Sequence, residues 1–290
     1  AGEAQEFLGA RPQTYQSLAD ALAGTPELAL VDIVAAAAVH HTLVQIATEA
    51  GLHVLCEKPM APTVAACRTM QQSAERNGRV LSIAENYRRD PVSRLAHALL
   101  AAGVIGEVRT ILDLSAGGGR KGIAAGWRYV RKHGGPVLEQ AVHNANMLMY
   151  LAGQARNVTA RVRLQEHERI FKGAPVKSFH EHTAEDYPDI QTADAPDMVM
   201  AALEFSGGAL GQLLHDETAQ GPRFRRFTIY GSKGQMDLPE VRSGQPLRVF
   251  SAVLRRRPPG VVRADLLWHG KGGRSENSCD GGERTSVRRR

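Results

Sequence analysis

The chain has 290 residues, 43% of them hydrophobic and 23% charged, an ordinary globular composition with room for roughly two domains of about 150 residues. No apolar run approaches the roughly 18 residues of a membrane span, and the N-terminal stretch lacks the basic, apolar and small-residue order of a signal peptide. Cys56, Cys67 and Cys279 form no CxxC pair, which argues against a disulfide framework or a zinc site and points to a soluble protein of the reducing cytoplasm.

The run Leu28 to Val34 (LALVDIV) has the apolar texture of a strand buried on both faces of a parallel sheet. A helix is predicted from His40, where Leu43, Val44, Ala47 and Ala50 recur at helical spacing and Gly51 supplies a left-handed stop. His53 to Cys56 reads as a second buried strand. Thr63 caps a helix through Ala74, and Val80 to Ala84 forms a third strand. Strand, helix, strand, helix, strand implies right-handed crossovers and a doubly wound parallel sheet.

Asp90-Pro91 opens a helix whose apolar positions Val92, Leu95, Ala96, Leu99 and Leu100 fit one face. Strand-like runs then dominate: Val108–Leu114, Val158–Leu164, Met198–Phe205, Ala209–Leu214 and Phe224–Tyr230. One helix, from about Pro136 to Leu151, interrupts them. The expected division is a Rossmann-like α/β domain over residues 1–106, an α+β domain with an open, mainly antiparallel sheet over 107–250, and a tail over 251–290. Residues 253–290 hold ten Lys and Arg against four Asp and Glu, which is the whole +6 excess of the chain. With Pro258-Pro259, scattered glycines and no apolar period, that tail reads as disordered, and no nucleic-acid recognition motif accompanies it.

Four features carry chemistry. Gly117-Gly118-Gly119-Arg120-Lys121-Gly122 is a literal G-x-G-x-x-G, but it follows the first strand of the second domain, with no amphipathic helix and no acid about 20 residues on, so it is read as a loop. Glu57-Lys58-Pro59 follows the strand His53–Cys56. That places Lys58 at the carboxyl edge of the sheet, where an ammonium can stabilise a developing alkoxide; the same spacing also fits a solvated turn lysine. Pro59 restricts Lys58 to extended backbone and makes a cis bond accessible. Glu139, His143 and Asn146 share one stripe of the later helix, apart from the core-facing stripe Leu138, Ala141, Val142, Ala145, Leu148 and Met149, so they face a cleft or water. Within that stripe the expectation is that Glu139 orients His143 as an acid/base. Asn86, Tyr87, Arg88 and Arg89 follow another strand's carboxyl end. His180-Glu181-His182 has metal-like types but no third ligand at diagnostic spacing, so no metal is expected.

Taken in order, these segments resemble the glucose-fructose oxidoreductase / inositol dehydrogenase / MocA family. Ala50-Gly51-Leu52-His53-Val54-Leu55-Cys56-Glu57-Lys58-Pro59 is similar to its AGKHVLCEKP signature, Glu85-Asn86-Tyr87-Arg88 to its strand-end N-x-R, and Gly103-Val104-Ile105-Gly106-Glu107-Val108 to its G-x-I-G-x-V. Gly134 to His143 resembles the lead into its D-x-x-x-H helix, and Ile229 to Gly234 its late G-[ST]-x-G turn. The resemblance implies hydride transfer between NAD or NADP and a sugar, polyol or related ring alcohol, and a homo-oligomer built on the open sheet. It implies Lys58, His143 and Glu139 as catalytic residues, Glu57, Lys58, Pro59, His40 and Asn86 at the cofactor, and Lys58, Arg88, Asn146 and His143 at the substrate. In this chain the family's usual aspartates read Glu139 and Asn146, and its T-P-x-x-x-H turn reads Ala35 to His40 without Thr-Pro. The resemblance also places the first β-α-β unit, with its glycine fingerprint, before Ala1. The runner-up reading is therefore an inactive fragment or pseudoenzyme that keeps a ligand-binding or assembly domain.

Overall fold

The computed structural model describes residues 9, 11–120, 126–171, 189–252 and 262–263. Helix α1 (Leu18–Gly24) begins at Ser17, whose hydroxyl oxygen accepts the Asp20 amide. Strands β1 (Leu30–Ile33), β2 (His53–Cys56) and β3 (Leu81–Ile83) then pair in parallel in the order β1-β2-β3. Two helices supply the crossovers. Helix α2 (Ala37–Glu49) ends at Gly51, where φ is +85° and a side chain would be strained. Helix α3 (Val64–Arg76) starts at Thr63, which accepts the Ala66 amide at 3.2 Å.

Ile33, Val44, Leu52, Val54, Cys56 and Met70 form the core of this first unit. The Thr48 and Ser73 hydroxyls, both fully buried, bond each other at 2.8 Å and satisfy one another where α2 crosses α3. The expectation that β1 is buried on both faces is not met. It is an edge strand among the described residues, with Leu30 55% and Val34 75% exposed.

Helix α4 (Pro91–Ala101) has Asp90 as its cap and Pro91 in its first turn. Its apolar face does not join the first core. Ala96, Leu95, Leu99 and Leu100 pack with Ile105, Ile111, Ile229 and Met236 of the second. Helix α4 thus packs with the second core although it lies within the span 1–106, because a helix belongs to whichever apolar face covers its stripe.

The second unit comprises β4 (Val108–Ala116), α5 (Gly135–Ala152), β5 (Ala155–Arg163), β6 (Glu168–Ile170), β7 (Ile190–Thr192), β8 (Met198–Phe205), β9 (Leu210–Asp216), β10 (Phe224–Gly231), β11 (Gly234–Leu238), β12 (Arg248–Ser251) and β13 (Val262–Arg263). Eight of these strands form one sheet in the order β13-β12-β11-β10-β4-β9-β8-β5, while β6 and β7 pair separately. The sheet is antiparallel except where β4 runs parallel to β9. Strand β13 lies inside the stretch expected to be a disordered tail; two residues of that stretch hold a place on the sheet edge. Helix α5 covers one face through Met147, Leu148 and Leu151, against Ile111, Phe205 and Leu213. Met149, assigned to the core stripe by periodicity, is 46% exposed. On the uncovered face Val158, Val162, Met200 and Leu210 stand open. No helix of the described residues is long and apolar enough to cross a membrane.

Gly231 allows a close backbone approach in this core. A Cβ built there would lie 2.1 Å from the Ile105 carbonyl oxygen, which is itself fixed by the Lys233 amide at 2.8 Å. Gly231→Ala is therefore expected to lower stability by about 1–3 kcal/mol through overpacking. The midpoint of denaturant unfolding measures this, and an unchanged midpoint would mean that the turn shifts freely.

Candidate active site

The carboxyl edge of the three-stranded sheet faces α5. Lys58, just past the end of β2, extends to that helix: its Nζ donates to the Glu139 carboxylate at 2.7 Å and to the Glu139 backbone carbonyl at 3.0 Å. Its side chain is 15% exposed, and an ammonium has three protons, so one donor is left for a ligand. The Lys58-Pro59 bond is cis. Glu57 folds its carboxylate back onto the Lys58 amide at 3.0 Å.

His143, one turn after Glu139 on α5, does not bond Glu139. Its Nδ1 lies 2.8 and 2.9 Å from the two carboxylate oxygens of Glu85, the residue that follows β3 and Ala84. This corrects the expected pairing within the helix stripe. Both side chains are buried, but Glu139 Oε2 is occupied by Lys58 and, at 3.3 Å, by Arg128 Nη1. Tyr87 stacks on the His143 ring, centroids 4.0 Å apart and planes 5° from parallel. Burial pushes the Glu85 carboxyl up, yet the hydrogen bonds from His143 and the Tyr87 amide outweigh it and hold the group below the ordinary carboxylate range.

The remaining predicted residues divide. Arg88 donates to the Asn146 side-chain oxygen, and its guanidinium lies 5.2 Å from the Tyr150 ring centroid, so Arg88 rests against Asn146 and Tyr150 of α5. Asn86 presents a buried side-chain oxygen with no partner. His40 is withdrawn from the crevice: it is wholly buried, with Nδ1 at 3.1 Å from the Pro59 carbonyl and Nε2 at 2.9 Å from the Ala35 carbonyl. It clamps the turn after β2 to the turn after β1, so the expected cofactor contact through its ring is not available.

Beneath α5, Asp113 on β4 is fully buried, accepts the Asn144 amide nitrogen at 2.8 Å and pairs with Arg225 at 2.6 Å. Burial pushes its carboxyl up, with Arg225 and Asn144 opposing. Sequence reasoning missed Glu85, Arg128, Asp113 and Arg225. A signal existed only for Glu85, inside the strand-end segment read for its Asn and Arg.

The glycine run behaves as a loop. A Cβ on Gly118 would lie 2.6 Å from the Glu217 carbonyl oxygen, and Gly119 offers its own carbonyl to Arg169 at 3.0 Å. Gly117 and Gly118 face the backbone of Arg223 and Glu217, and Gly119 the side chain of Gln220. Lys121 and Gly122 lie outside the described residues, as do His180, Glu181 and His182. No group of three or more potential metal ligands occurs among the described residues.

The residues present fit the reactive end of a nicotinamide. Lys58 has a spare donor, Asn86 an unpartnered acceptor, and both sit at the carboxyl edge of parallel strands. No strand, glycine turn and helix that could cradle a pyrophosphate occurs among the described residues.

Comparison with known proteins agrees with this architecture. Residues 2–85 match the family model "Oxidoreductase family, NAD-binding Rossmann fold", and residues 93–237 match "GFO/IDH/MocA C-terminal domain". Levoglucosan dehydrogenase of Pseudarthrobacter phenanthrenivorans is 27% identical over 219 residues, 73% of this chain and 55% of the relative. Myo-inositol 2-dehydrogenase of Thermotoga maritima is 26% identical over 203 residues, 70% of this chain and 54% of the relative. The chain thus spans about half the length of these curated relatives. A solved levoglucosan dehydrogenase, in complex with NADH and levoglucosan, superposes with a TM-score of 0.74 at 26% identity, covering 91% of this chain and 67% of that one. By both family matches and by the two-unit architecture, the chain belongs to the Gfo/Idh/MocA oxidoreductase family.

Proposed function

We propose that the protein is an NAD(P)-dependent oxidoreductase that interconverts a secondary alcohol of a sugar, polyol or related ring alcohol with its ketone. One observation carries this reading: the Lys58 ammonium is bonded to Glu139, one helical turn before His143. A donor for an alkoxide and a proton acceptor are therefore close neighbours at a sheet edge suited to nicotinamide. When bound there, nicotinamide accepts or returns the hydride.

The chain's own residues do the rest. Lys58 uses its spare N–H to hold the substrate hydroxyl and to stabilise the negative charge that grows on that oxygen. Glu139, shared between Lys58 and Arg128, fixes where the ammonium points. His143 takes the hydroxyl proton at Nε2, which has no hydrogen-bond partner among the described residues. Arg88, bonded to Asn146 of the same helix as His143, is assigned with it to further hydroxyls of the substrate. The nature of the relatives supports the substrate class.

The test is a spectrophotometric assay of NADH or NADPH formation by the full-length protein over a panel of sugars, inositols and anhydrosugars. Turnover of none of them, with a cofactor that demonstrably binds, overturns the reading in favour of a ligand-binding or assembly role. Calorimetric titration of the 290-residue chain is expected to show weak NAD(H) affinity, because the described residues supply no pyrophosphate cradle. Micromolar affinity would show that another segment supplies it.

The reading includes a homo-oligomer. Thr110, Leu112, Met200, Leu203 and Leu210 line a shallow groove of about 600 Å³ on the sheet face that α5 leaves uncovered. A second copy is the proposed occupant, since the groove joins a run of open apolar positions along β5 and β8. Light scattering should give a dimer or larger species, and Met200→Glu should shift it toward monomer. A wild-type monomer at micromolar concentration would refute this part.

A further inference from the structure

Building on the oxidoreductase reading, we infer that Glu85 is the positioning residue of His143: it takes the Nδ1 proton and leaves Nε2 as the atom that exchanges a proton with substrate. A neutral imidazole carries one N–H, and which nitrogen holds it decides whether the ring can accept a proton at a given place. At Nδ1 both carboxylate oxygens of Glu85 lie within 2.9 Å, a two-oxygen acceptor that only a protonated Nδ1 can satisfy. At Nε2 there is no hydrogen-bond partner among the described residues.

The geometry holds each member in place. Glu85 is 9% exposed, and its Oε1 also accepts the Tyr87 amide at 3.0 Å, which fixes the carboxylate at the start of the short 3-10 helix Tyr87–Arg89. That same turn delivers the Tyr87 ring to the face of His143, parallel and 4.0 Å from centroid to centroid. The Glu85–Asn86–Tyr87 turn thus sets both the in-plane direction of the imidazole, through the carboxylate, and the orientation of its plane, through the stack. Glu139, the other carboxylate within reach on sequence grounds, is committed to Lys58 and Arg128.

The proton balance closes without a further reactant. The substrate O–H bond breaks and its proton joins Nε2. The ring becomes an imidazolium, paired with the Glu85 carboxylate, and Glu85 itself does not change protonation. The reverse reaction returns the proton from Nε2 to the carbonyl oxygen as hydride is delivered to carbon.

The experiment reads the tautomer directly. Nitrogen-15 spectra of the histidine-labelled full chain, with His143 assigned by comparison with His143→Gln, are expected to show a proton on Nδ1 whether the ring is neutral or charged. The neutral ring is expected to have a bare Nε2. In Glu85→Leu the preference for Nδ1 should be lost; Glu85→Gln, which keeps the volume and an acceptor for the Tyr87 amide, should show a mixture of tautomers. A bare Nδ1 in the unsubstituted chain overturns the assignment without recourse to any variant, and so does an undiminished Nδ1 proton in Glu85→Leu. In the full-length enzyme, Glu85→Gln should lower kcat by about 10–100-fold while leaving KM for the cofactor within about twofold, and Glu85→Asp should recover part of the loss. Equal kcat in Glu85→Gln and the unsubstituted enzyme would also overturn it. Failure of the oxidoreductase reading shows separately, as absence of turnover, and the spectra decide the role of Glu85 either way.

Discussion

Replacing Lys58 with alanine, or His143 with glutamine, is expected to lower kcat of the full-length enzyme by about 10²–10⁴-fold while nearly preserving cofactor affinity. Lys58 is asked to stabilise charge that exists only in the transition state, so its loss falls on kcat more than on binding. Arginine is not a substitute. Its planar fork cannot place a single donor between the Glu139 carboxylate and backbone carbonyl, 2.7 and 3.0 Å from the ammonium, and still offer one to substrate. The double variant should lose less than the product of the two single losses, because both residues serve one O–H bond. Circular dichroism controls for folding, since Lys58→Ala leaves the buried Glu139 with Arg128 alone. Wild-type kcat in both single variants would remove Lys58 and His143 from the chemistry.

The largest expected effect on stability lies away from the crevice. Arg169 on β6 and Asp197, just before β8, are 1% and 0% exposed and bond at 2.9 Å. Asp197 also accepts the Gln165 and Glu166 amides at 2.8 and 3.0 Å, while Arg169 donates to the Gly119 carbonyl and lies 4.9 Å from the Tyr129 ring centroid. Removing one partner leaves a buried charge with no counter-ion among the described residues, which costs about 3–5 kcal/mol. Asp197→Ala should be the worse of the two single changes: it takes the carboxylate from the guanidinium and from two backbone amides, whereas Arg169→Met leaves Asp197 with both amide donors. Urea unfolding gives the order, and amide exchange at Gln165 and Glu166 should accelerate in Asp197→Ala alone. Joint replacement by apolar residues should recover much of the loss. Equal midpoints for the two single variants would contradict this account.

The same cluster shows why part of the molecule could not be read from the chain alone. Arg169 stands among Glu166, His167 and Glu168, where composition predicts a solvated polar stretch; its burial follows from the approach of a loop 50 residues earlier and a carboxylate 28 residues later.

What the sequence by itself determined were features that depend on near neighbours. Apolar runs and periodicity located β2, β3, α3, α4, α5 and most strands of the large sheet, and the caps at Thr63 and Asp90 sit where residue type required them. The placement of Lys58 also followed from local rules, since a residue directly after a parallel strand reaches the carboxyl edge of its sheet. Tertiary structure alone decided the partners. Glu139 and His143 share a helix stripe, a spacing that permits a bond but does not compel one. Once packing brings β2 and β3 beneath α5, Glu139 meets Lys58, 81 residues earlier, and His143 meets Glu85, 58 residues earlier. Packing likewise assigned α4 to the second core and turned His40 inward as a clamp. The physical reason is common to these cases: periodicity fixes the face on which a side chain emerges, whereas the identity of what it meets depends on how separate faces stack, and that is set by burial summed over the whole chain.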